Sequence, residues 1–242
     1  MSKLNNGLGI WQILKEPVIT DIIASAGFDV AILDLEHGQH DINSIQNCVY
    51  AGHSSSLKTI ARVPEIFYQN LVQIIDSGID GLLFPHVETF DQLNKIFEKT
   101  LLSPSGKKSF SPFVPKYKFG LGEVSNKGNP SMGIIIESAL GLKNLDELLN
   151  NSCLDFVYFG AYDLSVELNI PGEIFSDAIK DKLILLNEKA KKFDIKVFSI
   201  YRNLEELKFL QSLNIEYPIS LVDTSHLANI LKQKINEYHL TK

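Results

Sequence analysis

Val30-Ala31-Ile32-Leu33-Asp34-Leu35-Glu36-His37-Gly38 opens with four apolar residues and then places three ionisable ones within four positions. A short, unbroken apolar run is the pattern of a strand buried on both faces, as in a parallel sheet covered by helices. Asp34, Glu36 and His37 then stand at the strand's C-terminal end, where βα loops build the active site of an α/β barrel. Taken alone, the same residues equally suit a solvated turn leading to a helix cap at Asp41. The flanking chain decides between the two.

Upstream, Leu8 to Ile13 is short and apolar, and Pro17 stands near the start of a helical pattern over Val18 to Ala26 that stops at Gly27. Downstream, a helix is expected over Asn43 to Ala51, and a strand over Thr59 to Arg62 that ends in a cation just before Pro64. Ile66 to Ile75 is amphipathic and closes at Gly78. Asp80 to Phe84 is a strand stopped by Pro85 and followed by His86, and Phe90 to Thr100 is a helix. Beyond the irregular stretch Leu101 to Pro130, Gly133 to Ile136 is a strand ending in Glu137, with a helix following to Leu149. Asp155 to Phe159 is the next strand and ends in Gly160-Ala161-Tyr162-Asp163. A helix over Ala178 to Phe193, a strand over Lys196 to Ile200, a helix over Leu204 to Leu213, a strand over Tyr217 to Val222 and a helix over Ser225 to Tyr238 complete the pattern. Eight βα units with right-handed crossovers close into a (β/α)₈ TIM barrel, here expected as a single domain over residues 1–242.

The 242 residues suit one such barrel, and 45% hydrophobic content is enough for a large core. A net charge of −6 with interspersed signs provides no basic face, which argues against nucleic acid as a partner. Cys48 and Cys153 lack the spacing of a zinc site or a disulfide framework; core thiols in a reducing cytoplasm are expected. The N-terminus does not have the layout of a signal peptide, and no apolar run approaches membrane-spanning length, so a soluble protein without a membrane partner is expected. The stretch at 101–130 carries Phe110, Phe113, Tyr117 and Phe119 among lysines, which suggests an ordered lid, binding loop or interface rather than a linker. Lys107, Lys108, Lys116 and Lys118 would bring positive charge to the barrel mouth if it folded over that rim, or form a solvated loop if it did not. No Gly-rich turn follows strands seven and eight, so the common barrel phosphate site is not expected.

Glu137 and Asp163 end consecutive strands, where their carboxylates can converge. Such a pair suits a hard divalent ion, Mg²⁺ or Mn²⁺ first, with Co²⁺ or Zn²⁺ as further options. Singly, each reads first as a salt-bridged loop acid; the shared placement of an Arg, a His and the acids at one end of the barrel favours the site. His86 is either a group beside the metal water or acceptor substrate, or a histidine bonded to a loop carbonyl. His40 and His53 are expected at the surface. Lys196 begins its strand and so faces the wrong rim for a Schiff base.

Asp34-Leu-Glu-His37 after Gly27-Phe-Asp29, Ile60-Ala-Arg-Val-Pro64, Pro85-His-Val-Glu-Thr89, Ile136-Glu-Ser138, Gly160-Ala-Tyr-Asp-Leu-Ser165 and Val222-Asp-Thr224 together resemble the HpcH/HpaI aldolases, the class II, metal-dependent pyruvate aldolases. The resemblance implies a metal held by Glu137 and Asp163 and a pyruvate keto oxygen contacted by Arg62. It implies His37 as the base with Asp34 orienting it, and Glu36 in support of a metal-bound water. It also implies a pyruvate carboxylate received by the backbone of Gly160, Ala161, Tyr162 and Asp163. The expected activity is reversible aldol chemistry on a 2-keto acid and an aldehyde, through a pyruvate enolate, in a homo-oligomer. A relative acting on phosphoenolpyruvate or an acyl thioester is the alternative, and a non-catalytic binding barrel the third reading. Ile135 stands where the family commonly has Gln, and the family's Gly-Xaa-Arg-Gly segment is absent from Gly106-Lys-Lys-Ser-Phe110. Both point to a changed acceptor.

Overall fold

A computed structural model of the chain describes residues 6–123 and 129–241. The first five residues, and positions 124–128 of the expected long loop, lie outside them. The eight strands are β1 Gly9–Gln12, β2 Val30–Asp34, β3 Lys58–Arg62, β4 Gly81–Phe84, β5 Ser131–Ile136, β6 Phe156–Phe159, β7 Lys196–Tyr201 and β8 Tyr217–Val222. Each pairs in parallel with the next, and β1 closes the barrel on β8. All five residues of β2 are buried, as a strand covered on both faces requires.

The helices are α1 Pro17–Ser25, α2 Ile42–Ser54, α3 Leu71–Asp76, α4 Phe90–Thr100, α5 Ala139–Lys143, α6 Leu145–Leu149, α7 Ala161–Glu167, α8 Asp177–Lys192, α9 Leu204–Ser212 and α10 Asp223–Leu240. Pro17 occupies the first turn of α1, where its missing N–H costs nothing. Capping boxes at Asp41/Ser44 and Thr89/Gln92 fix the starts of α2 and α4. Three elements differ from the sequence expectation. The helix over Ile66 to Ile75 is a 3-10 stretch, Glu65–Asn70, that passes into α3 through Asn70 at φ −100°, ψ 0°. The helix reaching Leu149 is interrupted at Asn144, whose side-chain amide donates to the Glu88 carbonyl at 2.9 Å instead of sitting inert on a helix face. The turn Gly160 to Asp163 continues into α7.

The lower barrel interior is aromatic: Phe156 stacks on Phe198 at 4.7 Å, and Phe198 on Tyr217 at 4.4 Å. Gly133 makes room for this stack, since a Cβ there would lie 2.2 Å from Phe156. Overpacking of that kind typically costs about 1–3 kcal/mol. Two residues further along β5, β6 and β7, Ile135, Tyr158 and Ile200 face inward and line the cavity above.

The connection from α4 to β5 enters β5 at its N-terminal end, so its described part packs under the barrel, away from the mouth. Lys108 is buried there against Asp76 at 2.8 Å, Lys107 pairs with Glu98, and Lys116 lies beside Gly78 in the α3–β4 turn. Burial, with Lys108 nearby, lowers the Lys116 amine to about 8. Of the two readings of these lysines, delivery of charge to the mouth is excluded by topology: an αβ connection belongs to the opposite rim. Lys196 sits on that same rim, as expected. Among the described residues no helix is long and apolar enough to cross a membrane.

Candidate active site

At the C-terminal mouth, strand pairing places Asp34 of β2 beside Arg62 of β3. The buried Asp34 carboxylate accepts from Arg62 Nε at 2.8 Å, from Arg62 Nη2, and from the backbone N–H groups of Glu36 (2.9 Å) and His37 (3.2 Å). Burial alone would raise its pKa. The Arg62 hydrogen bonds and charge, with the two N–H groups, outweigh that and hold it below the ordinary carboxylate value. Arg62 Nη1 reaches Glu36 Oε2 at 3.0 Å, and the guanidinium carbon lies 4.6 Å from the Trp11 ring centroid. Trp11 Nε1 donates to the Tyr158 hydroxyl at 2.8 Å.

The expected pairing of Asp34 with the His37 imidazole is not what the structure has. Register gives the Asp34 carboxylate to Arg62, and only the His37 backbone is tied to it. The His37 ring is exposed at the edge of the cavity, with no hydrogen-bond partner among the described residues. His40, expected at the surface, is buried instead. Its ring nitrogens meet the Gln12 carbonyl (3.1 Å) and Ser44 Oγ (3.3 Å), and burial lowers its pKa.

Glu137 follows β5 and is almost wholly buried. Its Oε1 accepts the His86 backbone N–H at 2.7 Å and lies 2.9 Å from His86 Nδ1. Its carboxylate also meets that of Asp163. Burial pushes Glu137 up to about 7; His86 pulls against the shift and the Asp163 charge adds to it. Close contact with Glu137 requires a glycine at position 160, where a Cβ would fall 2.4 Å from Glu137 Cβ. Gly160 is also the N-cap of α7, and the first backbone N–H groups of a helix lack intrahelical acceptors, so Ala161, Tyr162 and Asp163 present donors to the cavity.

His86 Nε2 is 3.0 Å from Glu36 Oε1, so the imidazole hydrogen-bonds one carboxylate, lies within ion-pair distance of a second, and has no carbonyl partner among the described residues. Asp34, Arg62, Glu36, His86, Glu137 and Asp163 thus form one continuous polar chain along the mouth. Beside it lies a cavity of about 270 Å³, lined also by Trp11, Ile13, Ile135, Tyr158 and Val222. Among the described residues no three His, Cys, Asp or Glu side chains already enclose a common point. The chemistry of the pair still fits a divalent cation: two carboxylates in contact, one of them pushed up to about 7 by burial and by the neighbouring Asp163 charge.

Trp11 and Tyr158 were not among the residues singled out from the sequence. Strand alternation is the signal that finds them, since Tyr158 lies two positions before Gly160 and Trp11 two before Ile13. Asp223 was also missed as a support. Its carboxylate accepts the N–H groups of Ile13 (3.1 Å) and Leu14 (3.0 Å) and ties α10 to the β1 loop.

The family model of HpcH/HpaI aldolase/citrate lyase matches residues 8–208. A hydroxypyruvate/pyruvate aldolase of Roseobacter denitrificans is 29% identical over 73% of this chain and 70% of its own. A 4-hydroxy-4-methyl-2-oxoglutarate aldolase of Chaetomium globosum is 25% identical over 93% and 87%. Among solved structures, an HpcH/HpaI aldolase/citrate lyase family protein from Burkholderia cenocepacia superposes with a TM-score of 0.89 at 20% identity, covering 97% of this chain and 95% of that one.

Proposed function

We propose, for a chain that belongs to the HpcH/HpaI aldolase/citrate lyase family and is a carbon–carbon lyase, that it runs reversible aldol chemistry between a pyruvate-type 2-keto acid and an aldehyde, with Glu137 and Asp163 holding one divalent ion. The observation that carries this reading is the contact of those two carboxylates on the same cavity wall as the Arg62 guanidinium. The matching relatives are aldolases, which favours the aldol reading over the phosphoenolpyruvate or thioester alternative. A bound ion supplies Lewis acidity toward a keto oxygen, which makes the adjacent C–H easier to ionise.

The remaining work belongs to side chains. Arg62, fixed by Asp34 and Glu36 and resting on Trp11, aims fixed donors at the keto oxygen, where negative charge grows as the α-proton leaves. The substrate carboxylate is received by the free N–H groups of Ala161, Tyr162 and Asp163. The His37 imidazole removes the methyl proton and, in the condensing direction, returns a proton to the aldehyde oxygen once its carbon has been attacked. Exposure of His37 lets it exchange that proton with solvent. Glu36 and His86 brace the two halves of the site, and Ile135 closes the wall with an apolar side chain. Free thiols at Cys48 and Cys153 suit a reducing cytoplasm.

Exchange of the pyruvate methyl protons with D₂O, followed by NMR, tests this reading. Exchange is expected in the protein as purified, to disappear with a chelator, to return with Mg²⁺ or Mn²⁺, and to be absent in Glu137→Gln. Chelator-resistant exchange, or exchange retained by Glu137→Gln, would overturn it.

A further inference from the structure

Residue 86 is a histidine held in an unusual way. It follows Pro85 at the end of β4 with φ +58°, the left-handed region that non-glycine residues seldom occupy. The conformation is held by its own N–H, which donates to Glu137 Oε1 at 2.7 Å. That turn also swings the ring so that Nδ1 lies 2.9 Å from the same oxygen. The far nitrogen, Nε2, is 3.0 Å from Glu36 Oε1, and the other oxygen of Glu36 is held by Arg62 Nη1 at 3.0 Å. The imidazole is therefore anchored through Nε2 on a carboxylate that is itself held, with Nδ1 placed at the Glu137–Asp163 pair.

Two features of this arrangement are those of a metal ligand. Donors bound to one ion at about 2.1 Å and at right angles lie close to 3 Å apart, which is the spacing of His86 Nδ1 and Glu137 Oε1. Metal-bound imidazoles characteristically give their second N–H to a carboxylate, which fixes tautomer and ring plane, and Glu36 occupies that position. Nδ1 lies near Glu137 without a hydrogen bond to it, so to serve it has only to turn its lone pair to the ion that Glu137 and Asp163 share.

We propose that His86 Nδ1 is a third protein ligand of the divalent ion at Glu137 and Asp163, oriented through Nε2 by Glu36, and that it shifts the site's preference from Mg²⁺ toward Co²⁺, Ni²⁺ or Zn²⁺. Imidazole nitrogen suits these borderline ions, whereas Mg²⁺ favours an all-oxygen shell. The inference rests on the assignment of Glu137 and Asp163 above and extends it by one nitrogen.

The test uses the full chain stripped with chelator and reloaded with Mg²⁺, Mn²⁺, Co²⁺ or Zn²⁺, with dissociation constants measured by calorimetry and nitrogen coupling to bound Mn²⁺ by pulsed EPR. His86→Asn keeps a residue that accepts the left-handed backbone, and His86→Ala removes all side-chain donors. Circular dichroism checks that both fold. The expected result is that both variants lose about tenfold or more in Co²⁺ and Zn²⁺ affinity while Mg²⁺ affinity changes little, and that the nitrogen coupling seen in the unmodified protein is absent from both. Equal losses for all ions, or no nitrogen coupling in the unmodified protein, would overturn the His86 assignment. If affinity in those cases still falls in Glu137→Gln and Asp163→Asn, the two-carboxylate site stands and only the third ligand is wrong. Binding unchanged in Glu137→Gln and Asp163→Asn would remove both.

Discussion

Asp34 and Arg62 are register partners across β2 and β3, so backbone pairing itself sets the carboxylate against the guanidinium. Two side-chain donors of Arg62 then fall on one carboxylate and a third on Glu36. An ammonium cannot reproduce that planar set. Arg62→Lys is expected to keep the fold, read as an unchanged circular dichroism spectrum, and to lower pyruvate proton exchange and aldol turnover by about 10²- to 10³-fold. Turnover near that of the unmodified protein would make Arg62 a structural residue.

Glu137 gives the metal-free protein a definite pH dependence. Its folded pKa of about 7 lies above the ordinary 4.5, so the folded state holds its proton more tightly than the unfolded chain. The associated stability is fully present below about 4.5 and is lost as pH rises through 7. In chelator, Glu137→Gln is therefore expected to raise the melting temperature at pH 8 and to change it little at pH 4.5. Adding a divalent ion at pH 8 should raise the melting temperature of the unmodified protein but not of the variant. The same shift in the variant at both pH values would mean that the carboxyl is not held protonated.

α10 carries an apolar set with little to cover it. Leu227, Ile230, Leu231, Ile235 and Tyr238 are each more than half exposed, and Val18 and Ile22 of α1 are left equally open. Exposed apolar surface of this extent marks an association site. Light scattering at micromolar concentration is expected to give a homo-oligomer, and Leu231→Glu with Ile235→Glu to give a smaller species. A monomer in the unmodified protein would dispose of the expectation. Phe113 and Phe119, on the opposite rim, offer a second exposed pair.

Ile135 is buried in the cavity wall against Gly160, where its apolar side chain offers no hydrogen bond to a bound substrate. Sites that pair polar groups discriminate strongly when a partner is missing. Succinic semialdehyde is expected to be a poorer acceptor than neutral or phosphorylated sugar aldehydes in a side-by-side turnover assay, and Ile135→Gln to narrow the gap. Preferred use of succinic semialdehyde, unaffected by Ile135→Gln, would remove Ile135 from the specificity argument.

The barrel was legible because βα alternation is written in apolar runs and their stops: β2, α4 and β8 emerge almost residue for residue. So was the clustering of Asp34, Arg62, Glu137 and Asp163 at one mouth, since the first three end or immediately follow a strand and Asp163 lies in the first turn of the helix after β6. Pairing was not legible. That Asp34 turns to Arg62 rather than to His37 depends on strand register, which local pattern does not encode. Nor does pattern reveal that His86 takes a left-handed backbone, or that Asn144 leaves a helix for the Glu88 carbonyl, because both are settled by partners about fifty residues away. The rim on which the long loop lies follows from topology alone: a segment leading from a helix into a strand ends at that strand's start.

The placement of that loop divides the molecule's future between its two ends. Lys108 with Asp76, and Lys58 with Asp80, are anchored beneath the barrel, while the groups proposed to meet substrate line the cavity above it. Lineages descending from such a chain can accumulate changes underneath, adapting to heat or to new neighbours, without disturbing what is cleaved on top. Selection for a new acceptor can in turn rework the upper wall with the foundation intact.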